Sequence, residues 1–303
     1  MSNPGAFSRR IAPGPGLYSA PMTRDGSLMA TCANQGEIAL WDPRSGASLG
    51  KLSGHTEAVT SLAFSPDGAT LYSSSNGKSI FVWDVAGRSR KAEWTGHTAG
   101  VPNIALAGDG RWLVSASYDK TARVWDTTTG AVRHVLTGHT AGLYDAAFTP
   151  DGQGVVTAGL DASVRVWSAE TGAVVRALEG HTAALGSVTV SPDGRYVASG
   201  ATNGELILWN LSTGERVRSP VGHSGAVYGL AFHPSGQRLA SAAYDFTARV
   251  WDVESGAEVL SMRDVPEGAY YAEFSPDGKQ LVLGIATGEV WILDSRRFRD
   301  RRR

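Results

Sequence analysis

The sequence predicts an all-β chain: a seven-bladed β-propeller of four-stranded antiparallel blades. Three observations carry the prediction. Tryptophan stands at Trp41, Trp83, Trp125, Trp167, Trp209 and Trp251, 42 residues apart without an insertion, and Leu293 takes the seventh place. Glycine fills every place of a second column, Gly26, Gly68, Gly110, Gly152, Gly194, Gly236 and Gly278, mostly after aspartate in SPDG or TPDG. Seven repeats of 42 residues nearly exhaust the 303-residue chain, and a repeat of that length is one supersecondary unit that stacks on its neighbours.

Within a repeat the elements follow in order. AVTSLAF, residues 58–64, is an apolar run ended by the Asp-Gly turn, where glycine takes positive φ without a Cβ clash. TLYSSS, residues 70–75, leaves that turn, and SIFVWDV, residues 79–85, follows a glycine-containing break. A weaker fourth strand surrounds KAEWT, residues 91–95. One such meander cannot cover either apolar face alone, so the blades must stack radially and close into a ring. The segment Ala6–Arg10 precedes the first inner strand, and the chain ends soon after Asp294, before a last outer strand. The N-terminal strand is therefore expected to complete blade 7 and remove two free edges.

Gly-His pairs at Gly54-His55, Gly96-His97, Gly138-His139, Gly180-His181 and Gly222-His223, each 28 residues from histidine to the following tryptophan, complete the pattern. With them nearly the whole chain resembles the WD-repeat family. That resemblance implies a chain of hydrogen bonds from a turn Asp through His and a Ser/Thr hydroxyl to the indole N–H, and a chain that mostly assembles other proteins.

Composition limits the alternatives. With 42% hydrophobic and 19% charged residues the chain can bury a substantial core, and its single cysteine, Cys32, excludes an intramolecular disulfide or a multi-cysteine metal site. Neither a leader-like apolar core nor a run of about eighteen apolar residues occurs, so a cytoplasmic, monomeric protein with no membrane partner is expected. The propeller is expected over residues 1–295. The basic tail 296–303 (RRFRDRRR) leaves the remaining body with 22 Lys+Arg against 28 Asp+Glu, a balance that opposes nucleic-acid binding. No phosphate loop, dinucleotide fingerprint or metal cluster is present, and no cofactor is expected.

SASYDKTARVWD, residues 115–126, suggests a Ser/His/Asp set with His97, but the set recurs. His97, Ser115, Asp119 and Trp125 match His139, Thr157, Asp161 and Trp167, and again His223, Ser241, Asp245 and Trp251; partial copies run through His181, Ser199, Asn203 and Trp209, and through His55, Ser73 and Trp83. Exchange of Ser for Thr and Asp for Asn suits hydrogen bonding and is poor for a nucleophile. No catalytic residue is assigned.

Individuality lies where the copies differ. The second inner-strand position, on the face beside the Gly-His turn, reads Tyr18, Thr60, Pro102, Tyr144, Gly186, Tyr228, Tyr270. The position opening the other turn on that face reads Asn34, Asn76, Tyr118, Leu160, Thr202, Tyr244, Ala286. The next inner-strand column adds Asp145 and Tyr271, Phe246 follows Tyr244, and Glu273 stands where the other blades carry mainly alanine. Tyrosine offers a broad apolar face with a polar tip, as recognition surfaces use. The expected site is therefore Tyr18, Tyr118, Tyr144, Asp145, Tyr228, Tyr244, Phe246, Tyr270, Tyr271 and Glu273. It would serve a protein or peptide partner, with Glu273 and Asp145 supplying negative charge for a cationic group. Two other classes stay open: a small-molecule-binding or catalytic propeller using the tyrosine-rich funnel with Glu273 and Asp145, and a repeat scaffold without a natural ligand.

Overall fold

In the computed structural model, which describes residues 7–298 apart from 15, 33, 35 and 264, the 42-residue repeat becomes a ring of seven sheets. Blade 2 shows the plan: Val59–Phe64, Thr70–Ser75, Ile80–Asp84 and Ser89–Trp94 pair antiparallel in chain order, from the channel outward. Between the first two strands, Gly68 N donates to Ser65 O at 2.8 Å and Ala69 N donates to Asp67 Oδ1 at 3.0 Å. The seven glycines of this column sit at φ between 65° and 74°, a left-handed region that glycine enters without a Cβ clash and other residues enter only at a cost.

The apolar core lies between blades rather than within them. Val114, Val124 and Leu136 of blade 3 meet Leu143, Val155 and Trp167 of blade 4, and Val156, Val164 and Leu178 of blade 4 meet Leu185, Val197 and Trp209 of blade 5. Each sheet therefore needs both neighbours, and the ring must close. It does so through Phe7–Ile11, which pairs antiparallel with Val290–Asp294 in blade 7. Ile11 is buried with Leu17 and Met29 of blade 1 and Val282, Val290 and Ile292 of blade 7. Ala6, at the start of the expected closing segment, lies outside the described residues, as do Asp264 and tail residues 299–303.

Two blades depart from the plan. In blade 1 the described residues of the inner segment join the neighbouring strand through the isolated bridges Ser19↔Cys32 and Met22↔Met29. Pro21 stands in that segment and has no N–H to give a ladder. In blade 7 the hydrogen-bonding serine and tryptophan are replaced by Leu283 and Leu293, both fully buried. Replacing both partners by apolar groups leaves neither unsatisfied, so the blade stays closed without the brace.

Candidate functional site

The Ser/His/Asp sets are internal braces. His97 Nδ1 donates to Asp119 Oδ2 at 2.7 Å, Ser115 Oγ donates to His97 Nε2 at 2.7 Å, and Trp125 Nε1 donates to Ser115 Oγ at 2.8 Å. Burial, opposed by the Asp119 hydrogen bond, keeps His97 below the ordinary histidine range and hence neutral. Burial works against the Asp119 carboxylate, but bonds from Thr121, Thr98 and His97 outweigh it and hold the group at about 2. One tautomer satisfies every group. Ser115 is fully buried with both bonding directions used, so no substrate carbonyl can reach its oxygen.

The copy in blade 5 differs from the expected set. His181 Nδ1 faces Glu205 Oε2 at 3.3 Å, while Asn203 Nδ2 donates to Thr182 Oγ1 at 3.0 Å. An amide at 203 supplies no charge, and the longer glutamate two residues on reaches the imidazole instead. In blade 2, His55 keeps its bond to Ser73 at 2.7 Å and stacks on Phe81 at 3.9 Å. Burial and the nearby Arg90 charge lower this imidazole to about 4.

The departing columns converge at one end of the central channel. The backbone ties the two turns there: Tyr118 N donates to Gly100 O, Leu160 N to Gly142 O and Tyr244 N to Ala226 O. In five inner strands the register shifts across the rim residue, at Thr60, Tyr144, Gly186, Tyr228 and Tyr270. A bulge re-aims the side chain at that point, so both rim and wall columns face the channel, which holds about 830 Å³.

The aromatic rings form one connected arc. Centroids run from Tyr118 to Tyr144 at 6.4 Å, to Tyr228 at 5.5 Å, to Tyr270 at 5.5 Å and to Tyr18 at 6.5 Å. Tyr244 stacks on Tyr270 at 5.8 Å and touches Phe246 at 6.2 Å. Tyr144 belongs to blade 4 and Tyr228 to blade 6; they meet because blade 5 offers Gly186 between them. A Cβ on Gly186 would lie 2.9 Å from Tyr228 Cδ1 and 2.5 Å from Val227 O. The sequence signal was in view, a glycine in a tyrosine column, but its meaning needs the ring.

Phe246 holds φ 62° and is 51% exposed, a conformation and a position that a bulky apolar residue seldom adopts. The arc spans blades 3, 4, 6, 7 and 1. The rim at blades 2 and 3 carries Thr60, Asn76 and Pro102 instead, and below them Asn103 Oδ1 is buried without a hydrogen-bond partner. Asn103 stands in the same inner-strand column as Asp145 and Tyr271 but is not among the site residues expected from the sequence.

Three expected site residues, Tyr271, Glu273 and Asp145, line the channel below the arc rather than joining it. Tyr271 donates its hydroxyl to Glu273, and its ring packs against the core between blades 7 and 1. Burial, only partly offset by that hydrogen bond, pushes the Glu273 carboxyl up to about 7. Asp145 accepts from Val188 N at 2.8 Å, Ala146 N at 2.8 Å and Ser187 Oγ at 3.2 Å, tying blade 4 to blade 5. Burial raises it to about 6 against those three donors. The described residues hold no group of three or more His, Cys, Asp or Glu side chains able to bind a metal, and no described helix is long and apolar enough to cross a membrane.

Among curated proteins none matches the chain. The family model for WD40, described as WD domain, G-beta repeat, matches residues 46–84, 88–126, 130–168, 172–210 and 214–252. Those five segments lie across blades 1 to 6 and cover most of the chain, in register with the tryptophan column. With the ring of seven sheets, the histidine braces and this match together, the chain belongs to the WD40 repeat family.

Proposed function

We propose that the chain is a non-enzymatic interaction scaffold whose tyrosine arc receives a peptide or protein loop and takes a cationic side chain into the channel mouth. WD40 propellers generally act as protein-interaction scaffolds. The observation that carries the finer reading is the continuous arc from Tyr118 to Tyr18 standing above the Glu273 carboxyl on a single channel. Ring faces attract a cation, and a carboxylate below supplies its counter-charge. Tyr118, Tyr244 and Phe246 are 40%, 49% and 51% exposed, presenting aromatic surface at the channel mouth for a partner to cover.

A second reading rests on Glu273 itself. A carboxyl poised near 7 and hydrogen-bonded to Tyr271 suits general acid or base work on a small molecule in the funnel. Purification from source cells separates the two. If Tyr228→Ala with Tyr270→Ala removes a co-purifying protein, the scaffold reading holds; if Glu273→Gln instead abolishes turnover of a bound metabolite, the funnel is catalytic. Unchanged partners and metabolites in both variants would defeat both readings.

A further inference from the structure

Blade 3 carries a second set of departures, far from the tyrosine arc. Trp112 stands in a column that otherwise reads Leu28, Thr70, Gly154, Tyr196, Arg238 and Gln280, and Arg133 in one that reads Leu49, Lys91, Val175, Val217 and Val259. The two guanidiniums of Arg111 and Arg133 lie over the Trp112 ring, 4.9 and 4.4 Å from its centroid. They border a surface cleft of about 460 Å³ with Asp126, Thr129 and Val132. This cleft opens where the first two strands turn, at the end opposite the Gly-His turns.

The blade does not need Arg133 for its connection to blade 4. His134 Nε2 makes that tie, donating to Glu170 O at 2.8 Å, as Arg176 does to Ser212 O and Thr213 O one blade later. Arg133 reaches the same carbonyl only at 3.4 Å. Among the described residues neither Arg111 nor Arg133 makes an ion pair. Asp126, the carboxylate in this cleft, accepts from Thr128 N and Thr129 N at 2.9 Å and is committed to its own turn, with the Arg111 charge a weaker partner.

Stacking uses the flat face of a guanidinium and leaves its in-plane N–H groups outward. An arginine held this way has already lost much of its rotamer freedom, so less is lost when it grips an oxyanion. We propose that the Arg111–Trp112–Arg133 stack is a docking site for an acidic peptide segment of a partner protein, independent of the tyrosine arc. Carboxylates and phosphorylated side chains share the required oxyanion chemistry. A nucleic acid fits poorly, because two guanidiniums on an otherwise acidic body cannot track a phosphate backbone.

The full chain is titrated with three fluorescein-labelled peptides of one length: glutamate-rich, its glutamine counterpart, and a phosphoserine counterpart. Saturable, salt-sensitive binding of the glutamate or phosphoserine peptide, and none of the glutamine peptide, is expected; whichever binds more tightly names the oxyanion. Arg111→Gln with Arg133→Gln should weaken binding about tenfold or more, the loss of charge-assisted hydrogen bonds. Lysine at both positions should not restore it, since lysine offers no planar fork. Tyr228→Ala with Tyr270→Ala should leave it unchanged. An unaltered thermal midpoint in the double glutamine variant shows that the loss is not unfolding. Absence of binding, binding that survives the double substitution, or tighter binding of a single-stranded oligonucleotide of equal charge would overturn the proposal.

Discussion

Replacing Ser115 with alanine removes one oxygen and strands two buried partners. Trp125 Nε1 loses its acceptor at 2.8 Å and His97 Nε2 loses its donor at 2.7 Å. Ser115 is fully buried, Trp125 is 2% exposed and His97 6%, so water cannot replace the hydroxyl without moving the blades apart. An orphaned buried group costs about 1–3 kcal/mol. Two such groups, with some relaxation of the indole, give an expected loss of about 2–4 kcal/mol.

The control is built into the chain. Thr157 makes the same two bonds in blade 4, at 2.8 and 2.9 Å, so Ser115→Thr should stay within about 1 kcal/mol of the parent. Equilibrium urea unfolding followed by tryptophan fluorescence measures both, with an unchanged denaturant slope showing that only stability moved. A loss below about 0.5 kcal/mol for Ser115→Ala would refute the reasoning. The recurrent set would then be no stabilising brace, and its repetition would need another cause.

Three further outcomes follow from the same geometry. A fluorophosphonate probe should leave Ser115 unlabelled in the folded protein, as mass spectrometry of the digest would show, because its oxygen is fully buried and bonded on both sides. Gly186→Ala should separate Tyr228 from Tyr144, since the new Cβ would stand 2.9 Å from Tyr228 Cδ1; loss of the co-purifying partner with a stability decrease of about 1–3 kcal/mol is expected, and retained binding would count against the arc. Glu273 holds its proton to about 7 when folded, so its contribution to stability is present below the unfolded carboxyl range and is lost as pH rises through 7. Glu273→Gln should therefore be more stable than the parent at pH 8, by up to about 3 kcal/mol, with the difference vanishing near pH 4.5. The histidine terms run the other way but cancel in this comparison, and a pH-independent difference would argue against a strained carboxylate.

The fold was legible because its requirements repeat. A turn glycine at positive φ and a tryptophan donating to a hydroxyl recur in most blades, so a single sequence carries its own comparison. The site was half legible for the same reason. Columns that break the repeat picked out Tyr144, Tyr228, Tyr270 and Glu273, yet sequence alone could not tell rim from wall. That distinction depends on register shifts at Tyr144, Tyr228 and Tyr270, which no residue type announces. Asp145 and Tyr271 share a column and look alike as candidates, but one is bound by three donors from its own and the next blade while the other reaches Glu273. Glu205 shows a smaller limit: spacing pointed to Asn203, and side-chain length moved the contact two residues on.

The channel also shows which departures the fold does not require. Most blades place alanine at the Glu273 position, and Ser61 and Ser187 fill the Asp145 column without charge. Burial raises both acids, Glu273 to about 7 and Asp145 to about 6, so each carboxylate weakens the folded state at neutral pH relative to a neutral side chain. Asp145 offsets that cost with three hydrogen bonds between blades. Glu273 has the Tyr271 hydroxyl as its one hydrogen bond among the described residues, on a wall that a neutral residue lines elsewhere. A buried charge so weakly compensated is where a ligand's cation would recover the most free energy. For that reason Glu273, rather than the better satisfied Asp145, is the acid on which the binding reading stands.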